Sequence, residues 1–370
     1  MLKREPGRQS GTELSSMPPR PRIPRPTPHS HVVRIPLEGT MTTPTSDRLM
    51  QLITGAWAAS IVGAGARHGV FTALESRPDD AKGIAARTGV SVRGAQALLD
   101  GLTGLGVLTL SGTTYRNTPE AAAFLVKGTP SDFGALAEVF LEEFGTWQKL
   151  PEAVKTGLPT APYTADVSDN PFWHVLVTAI APLSFPVARI AADRMALETA
   201  GPISWLDIGG GSGVWSAVWL GINSEAIGCQ LDWPRVNTIG REFVGKFGVG
   251  NRFKTIDGDF HTADFGDKEY QYVIYSHIAH QESPAGNVAM FRKLRKALKP
   301  GGTLVVNDFV LNDDRTGHPF AMMFASQMLV ATKDGFTYRQ SDYRKWLAEA
   351  GFTSVEIVPT PTPATLVLAK

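Results

Sequence analysis

Cysteine is almost absent: Cys229 is the only one in 370 residues. A lone thiol excludes an internal disulfide and a cysteine-rich metal site, and it fits a reducing, cytoplasmic setting. Net charge is nearly absent too. With 36 Lys and Arg against 35 Asp and Glu the chain stands at +1, so no overall field recruits nucleic acid or an anionic membrane. No stretch approaches the roughly 18 consecutive apolar residues of a membrane span, and no apolar signal-peptide core lies near the N-terminus. Hydrophobic residues nonetheless make up 43% of the chain, enough for a sizeable core, and the length predicts about two domains.

Residues 1–40 hold eight prolines, and seven Lys or Arg against three Asp or Glu, with almost no apolar periodicity. That composition predicts a disordered tail over residues 1–46. The run Arg20-Pro-Arg-Ile-Pro-Arg25 would suit an acidic partner, but a plain solvated tail explains it more simply, and Met41 would be a natural start. Order is expected from Asp47, where Leu49, Leu52, Ile53, Ala56, Ile61 and Val62 keep helical spacing until Gly69-Val-Phe71 stops it. Residues 84–91 and 95–102 read as helix, turn, helix. Residues 107–110, Gly112 and residues 115–117 add a small hairpin, which completes a winged-helix pattern over residues 47–135. A winged helix that reads DNA presents several basic residues on its second helix. From Ser91 to Gly106 there is only Arg93, so the domain reads as a packing and dimerisation module. Residues 136–200 read as a helical linker, with Phe172, Trp173, Val177 and Ile180 ahead of the Gly201-Pro202 break.

The most informative segment is 204–213, Ser-Trp-Leu-Asp-Ile-Gly-Gly-Gly-Ser-Gly, followed by Val214-Trp-Ser-Ala-Val-Trp-Leu220. An apolar run ending in Asp207, then a glycine loop, then a helix start is the usual setting of a nucleotide-like ligand. Gly209 and Gly211 let the backbone approach that ligand closely. Asp232 lies 25 residues beyond Asp207, and an acid at a second strand end can accept both ribose hydroxyls. A dinucleotide fingerprint begun at Gly209 and Gly211 would need a third glycine where Val214 stands. The spacing therefore suits a smaller nucleoside such as S-adenosylmethionine. Strands at 272–275 and 303–307 alternate with helices such as 288–298, which predicts an α/β domain over residues 201–370. Its sheet is expected to be open and mainly parallel, with helices on both faces.

Five segments then converge. Leu206-Asp-Ile-Gly-Gly-Gly-Ser-Gly213, Leu231-Asp-Trp-Pro-Arg-Val236, Asp257-Gly-Asp-Phe260, Ser276-His-Ile-Ala-His280 and the run from Lys299 to Phe309 together resemble the class I S-adenosylmethionine-dependent methyltransferases. From about residue 47 the chain resembles the small-molecule O-methyltransferases with an N-terminal winged-helix dimerisation domain, as in plant caffeate-type enzymes and bacterial polyketide-tailoring relatives. The resemblance implies a Rossmann-like domain with a seven-stranded sheet, a homodimer, and S-adenosylmethionine as cofactor without a metal. It places Asp207, Gly209 and Gly211 at the methionine part, Asp232 on the ribose, Asp259 on the adenine amino group, Phe260 on the ring and Ser276 beside them. His280 stands at the family's general-base position, at the end of the strand that closes with Ser276, where an imidazole can take a hydroxyl proton. Asp308 would orient it. The acceptor pocket is expected from Trp173, His277, Phe324, Met328 and Thr332, the last two in the helix after Gly317, around an apolar, aromatic or polyketide-like hydroxyl compound.

Two departures bear on the chemistry. Plant enzymes of this type flank the histidine with two glutamates; the matching positions here are Asp308 and Thr337, and a threonine carries no charge. The family's Asp after the histidine is Gln281. Transfer to carbon or nitrogen therefore stays open beside transfer to oxygen. A cofactor-binding winged-helix regulator is opposed by the scarcity of basic residues, and a catalytically dead scaffold by the retention of His280. No His, Cys or carboxylate cluster with metal-ligand spacing is evident, since His277 would join His280 only in a helical segment.

Overall fold

The computed structural model describes residues 45–129, 131–161 and 170–370. The tail expected over residues 1–46, with its Arg20–Arg25 run, lies outside the described residues save for the last two positions. Among the described residues no single helix is long and apolar enough to cross a membrane.

The helical pattern from Asp47 is not continuous. It breaks at Thr54 into helices Asp47–Ile53 and Gly55–Arg67, which meet at a bend of 53°. The second helix ends at Arg67, as expected just ahead of Gly69-Val-Phe71; Gly69 turns the corner at φ 66°, and Val70 opens helix Val70–Ser76 with Phe71 fully buried. Helices Ala81–Thr88 and Val92–Gly104 follow, capped by Asp80 and Ser91, whose side chains accept the Gly83 and Gly94 amides. The hairpin β1 (Leu108–Ser111) and β2 (Thr114–Asn117) closes the winged helix. Its core takes in Phe71, Ile84, Leu99, Leu102, Leu108 and Tyr115. Leu52, Ile53 and Trp57 stay outside it, 66%, 73% and 71% exposed.

Helix Gly55–Arg67 packs on helix Gly134–Glu142, where a Cβ on Gly63 would stand 2.8 Å from the Ala137 carbonyl oxygen. Close approach there requires glycine. Arg67 pairs with Glu142 at 2.6 Å and Glu138 at 3.5 Å across the same contact. Helices Pro171–Ala179 and Ala181–Arg194 then lead to a sheet built from β3 (Ser204–Ile208), β4 (Ile227–Asp232), β5 (Phe253–Asp257), β6 (Tyr270–Ser276), β7 (Leu298–Asp308), β8 (Val355–Pro359) and β9 (Thr365–Ala369).

The sheet has seven strands in the order β5-β4-β3-β6-β7-β9-β8. All neighbouring pairs are parallel except those made by β9, which runs antiparallel to both β7 and β8. A parallel sheet must be covered on both faces, because each strand buries alternate residues on either side. One apolar cluster holds Leu206, Ile208, Tyr275 and Phe291; the other holds Trp205, Trp215, Trp219 and Ile274. The three tryptophans meet edge-on at 5.2 and 5.7 Å, and the Nε1 of Trp205 and of Trp219 donate to Ser216 Oγ and the Ala188 carbonyl. Strand order reverses between β3 and β6. Ligands of open α/β sheets bind beyond the carboxyl ends of the strands at that switch, and here the glycine loop follows β3 while His280 follows β6.

Candidate active site

At the switch lies a cavity of about 400 Å³, lined in part by Gly209–Ser212, Asp232, Asp259, Phe260 and Ser276. The glycine loop takes φ values of 60° at Gly209, 58° at Gly211 and 74° at Gly213. A Cβ on Gly209 would also stand 2.7 Å from Ile278 Cδ1. The loop thus forms a cradle that only glycine permits. Asp232 Oδ2 accepts the Gly211 amide at 2.9 Å and Oδ1 the Trp233 amide at 2.8 Å. Burial pushes the Asp232 carboxyl up to about 6, although both amides favour its charged form.

Asp207 is not at this cavity. It lies beneath the glycine loop with no exposed surface, and neither carboxyl oxygen has a hydrogen-bond partner among the described residues. A Cβ on Gly210 would stand 2.8 Å from its Oδ2. Burial, and then the charge of Asp232, raise its pKa well above its ordinary value. Ser276 does face the cavity. Its Oγ accepts from Trp215 Nε1 and Asn307 Nδ2, both at 3.0 Å, which leaves its own proton to donate.

His280 does not stand on the continuation of β6. It sits in a 3-10 turn, Ala279–Gln281, because the chain leaves the sheet at His277, whose φ is 57°. The turn carries the imidazole to Asp308 at the end of β7. His280 Nδ1 lies 2.6 Å from Asp308 Oδ1, and the His280 amide donates to Oδ2 at 2.9 Å. The Phe309 amide adds a bond to Oδ1 at 2.8 Å and the Tyr343 hydroxyl one to Oδ2 at 3.0 Å. Burial alone would raise Asp308; the charge and hydrogen bond of His280, with His277 and the Phe309 amide, hold it below the usual carboxylate range. An ionised Asp308 requires Nδ1–H on His280 and leaves the lone pair on Nε2.

His277 is closer to this pair than its sequence position implied. One potential ligand atom each from His277, His280 and Asp308 fall within 4.8 Å of one another, which corrects the expectation that no such cluster exists. A strained turn, not a helix, brings them together. His277 Nε2 is 3.1 Å from Asn307 Nδ2, and burial, partly opposed by the charge of Asp308, pushes its imidazole down to about 4. It is therefore neutral at physiological pH.

A second cavity of about 160 Å³ borders His280 and is walled by Trp173, His277, Phe324, Met328 and Thr332, all expected from sequence, with Phe309 and Gln327 unforeseen. The ring of Phe324 meets that of His280 edge-on at 4.9 Å. Thr332 is one residue past helix Pro319–Ala331, not inside it, and its Oγ1 donates to the Met328 carbonyl and accepts the Gly335 amide. Thr337 is buried and lines neither cavity. Trp173, Ile180, His277 and Gln281 border both cavities, which makes them the seam between the two. Tyr343 and Asn307 escaped the sequence reading: nothing local marks a tyrosine 35 positions past its carboxylate.

Comparison with known proteins agrees with this layout. A family model described as an O-methyltransferase domain matches residues 139–353, and one described as an O-methyltransferase dimerisation domain matches residues 50–127. The chain is 30% identical over 326 residues to the 3-hydroxy-5-methyl-1-naphthoate 3-O-methyltransferase of Streptomyces sahachiroi, covering 85% of this chain and 92% of that protein. It is 26% identical to the tetracenomycin polyketide synthesis 8-O-methyl transferase of Streptomyces glaucescens, covering 93% and 99%. The crystal structure of human N-acetylserotonin methyltransferase with S-adenosylmethionine has the same fold, at a TM-score of 0.78 and 22% identity over 90% of this chain and 99% of that one.

Proposed function

Because this chain belongs to the S-adenosylmethionine-dependent O-methyltransferases that carry a dimerisation domain, we propose that it methylates a hydroxyl of a fused aromatic, polyketide-type compound with His280 as general base. The observation that carries the reading is the buried His280–Asp308 pair, 2.6 Å apart, with His280 on the aromatic-walled cavity that shares His277 and Gln281 with the glycine-cradled one.

The larger cavity suits the cofactor: a Cβ at Gly209 would crowd Ile278 on its wall, and its lining includes the carboxylates of Asp232 and Asp259 and the ring of Phe260, which supports a nucleoside there. Gly209 and Gly211 would hold the methionine part, Asp232 the ribose, Asp259 the adenine amino group and Phe260 the ring face. Ser276 would offer its proton beside them. When bound, S-adenosylmethionine supplies a sulfonium methyl, which the acceptor oxygen takes as the electrons of the C–S bond return to sulfur. His280 Nε2 receives the proton of that oxygen, and Asp308 stabilises the imidazolium that results. Trp173, Phe324 and Met328 would hold the acceptor rings in line and exclude water. The two naphthoate and polyketide enzymes above support an acceptor of that kind.

Residues 47–135 would serve as the dimerisation domain, 136–200 as the linker that supplies acceptor-pocket residues, and 201–370 as the cofactor domain. Homodimer formation would cover the exposed Leu52, Ile53 and Trp57. The test is to give the full chain methyl-labelled cofactor with a panel of hydroxynaphthoates and polyketide phenols. Label recovered in an aryl methyl ether is expected; label on carbon or nitrogen would reject transfer to oxygen.

A further inference from the structure

One imidazole ties the loop after β5 to the segment after His280. His261 Nδ1 lies 2.9 Å from Asp259 Oδ1, and its Nε2 lies 2.8 Å from Glu282 Oε1. An ionised carboxylate only accepts hydrogen bonds, and a neutral imidazole has a single N–H. Both carboxylates can be served at once only by an imidazolium. The surrounding charges agree: burial opposes the charged ring, but Glu282 and then Asp259 outweigh it and raise the pKa above its ordinary value. Lys293, the cation packed on the same loop, is turned to the backbone, donating to the Phe260 and His261 carbonyls at 2.7 and 3.2 Å, and is acted on by Asp259 and Asp264.

The bridge joins parts of the site with different tasks. The ring and the amide of His261 both use Oδ1 of Asp259, which leaves Oδ2 for a ligand. The Phe260 ring lies 4.3 Å from that of His261, and Asp259, Phe260, His261 and Glu282 all line the larger cavity. Glu282 follows the turn that bears His280, and its carbonyl accepts the Tyr338 hydroxyl at 2.6 Å.

We propose that His261 is a positioning residue, a clamp that closes the Asp259 end of the cofactor cavity onto the His280 segment while its ring is doubly protonated and lets one arm go when a proton is lost. This rests on the assignment of the larger cavity to the cofactor. Loss of the proton leaves a bare ring nitrogen facing a carboxylate, and the two repel. Cofactor retention then weakens toward alkaline pH through a residue that takes no part in methyl transfer.

The test is calorimetry of S-adenosylhomocysteine with the full chain and with the variants His261→Gln and Glu282→Gln, between about pH 6.5 and 9. The Kd of the unmodified chain is expected to rise about fivefold or more over that range. His261→Gln is expected to bind weakly throughout, without the rise. Glu282→Gln is expected to stay tight at the alkaline end, because a carboxamide N–H can donate to the bare Nε2 and the bridge no longer needs a second proton. A flat profile for the unmodified chain, an unchanged rise in His261→Gln, or an alkaline loss in Glu282→Gln would each overturn the clamp and leave the cofactor assignment standing. Failure of the unmodified chain to bind at any pH would overturn that assignment and the clamp with it.

Discussion

His280 and Asp308 are 28 positions apart in the chain, yet two hydrogen bonds join them, ring to Oδ1 at 2.6 Å and amide to Oδ2 at 2.9 Å. The double contact fixes both the tautomer and the place of the imidazole, since the backbone cannot shift without breaking the second bond. With Phe309 and Tyr343 the carboxylate has four protein donors. A cation at the His277–His280–Asp308 cluster would have to displace one of them.

His280→Ala is expected to lower turnover by about 100-fold to 10,000-fold while S-adenosylhomocysteine affinity stays near normal. Asp308→Asn is expected to fall in the same range, because a carboxamide can present N–H to Nδ1 and so favour the wrong tautomer. Steady-state rates with a working acceptor, beside calorimetry, check both. Chelators are expected to change neither rate, given the four donors already on Asp308.

Asp232→Asn is expected to weaken S-adenosylhomocysteine binding by about 1–3 kcal/mol, the scale of hydrogen bonds to a charged acceptor. The pH dependence has a definite sign. Burial places the Asp232 carboxyl at about 6, so above that pH it is an anion ready to accept ribose hydroxyls, and below it is a neutral acid. Affinity of the unmodified chain should fall as pH drops through 6, and the Asn variant should lack that limb in calorimetric titrations.

His277→Asn is expected to make the fold less sensitive to acid. The imidazole is held at about 4 in the fold against 6.5 when unfolded, so the unfolded state binds more protons between those values. Stability is whole above 6.5 and lost as pH falls toward 4. Asp232, with a raised pKa, acts with the opposite sign and is common to both proteins. Thermal melts across this window should show the variant flatter, by about 3 kcal/mol. Asn suits the φ of 57° at this position, which limits strain from the exchange.

Ile53→Glu combined with Trp57→Glu is expected to convert a dimer to a monomer without unfolding, because both side chains are more than 70% exposed in the single chain. Light scattering at micromolar concentration reads the mass. A dimer that survives the pair of charges would place the interface elsewhere.

The local sequence determined the elements and the order of the chemistry. Glycines 209, 211 and 213 sit at positive φ because a strand must turn at once into a helix there, and alternation of strand and helix was enough to foresee a mainly parallel sheet. Asp232 was legible as an acid closing a second strand, and His280, Asp308 and Asp259 only through the resemblance of their segments; the ends of β3 to β7 point to one edge of such a sheet. Tertiary structure decided what those side chains became. It left Leu52 and Ile53 exposed but buried Leu99 and Leu102, although all four share helical spacing, because which face meets a neighbour is set by long-range packing. It put Asp207 under the loop with no exposed surface and off the cavity lining, where burial raises its pKa well above its ordinary value. It bent the chain at His277 into a turn that no periodicity announced, and so brought two histidines, a carboxylate and Tyr343 together from separate elements. Residue type and spacing constrain a few neighbouring positions; charge state, tautomer and exposure depend on everything packed around a group, and that exists only in the folded chain.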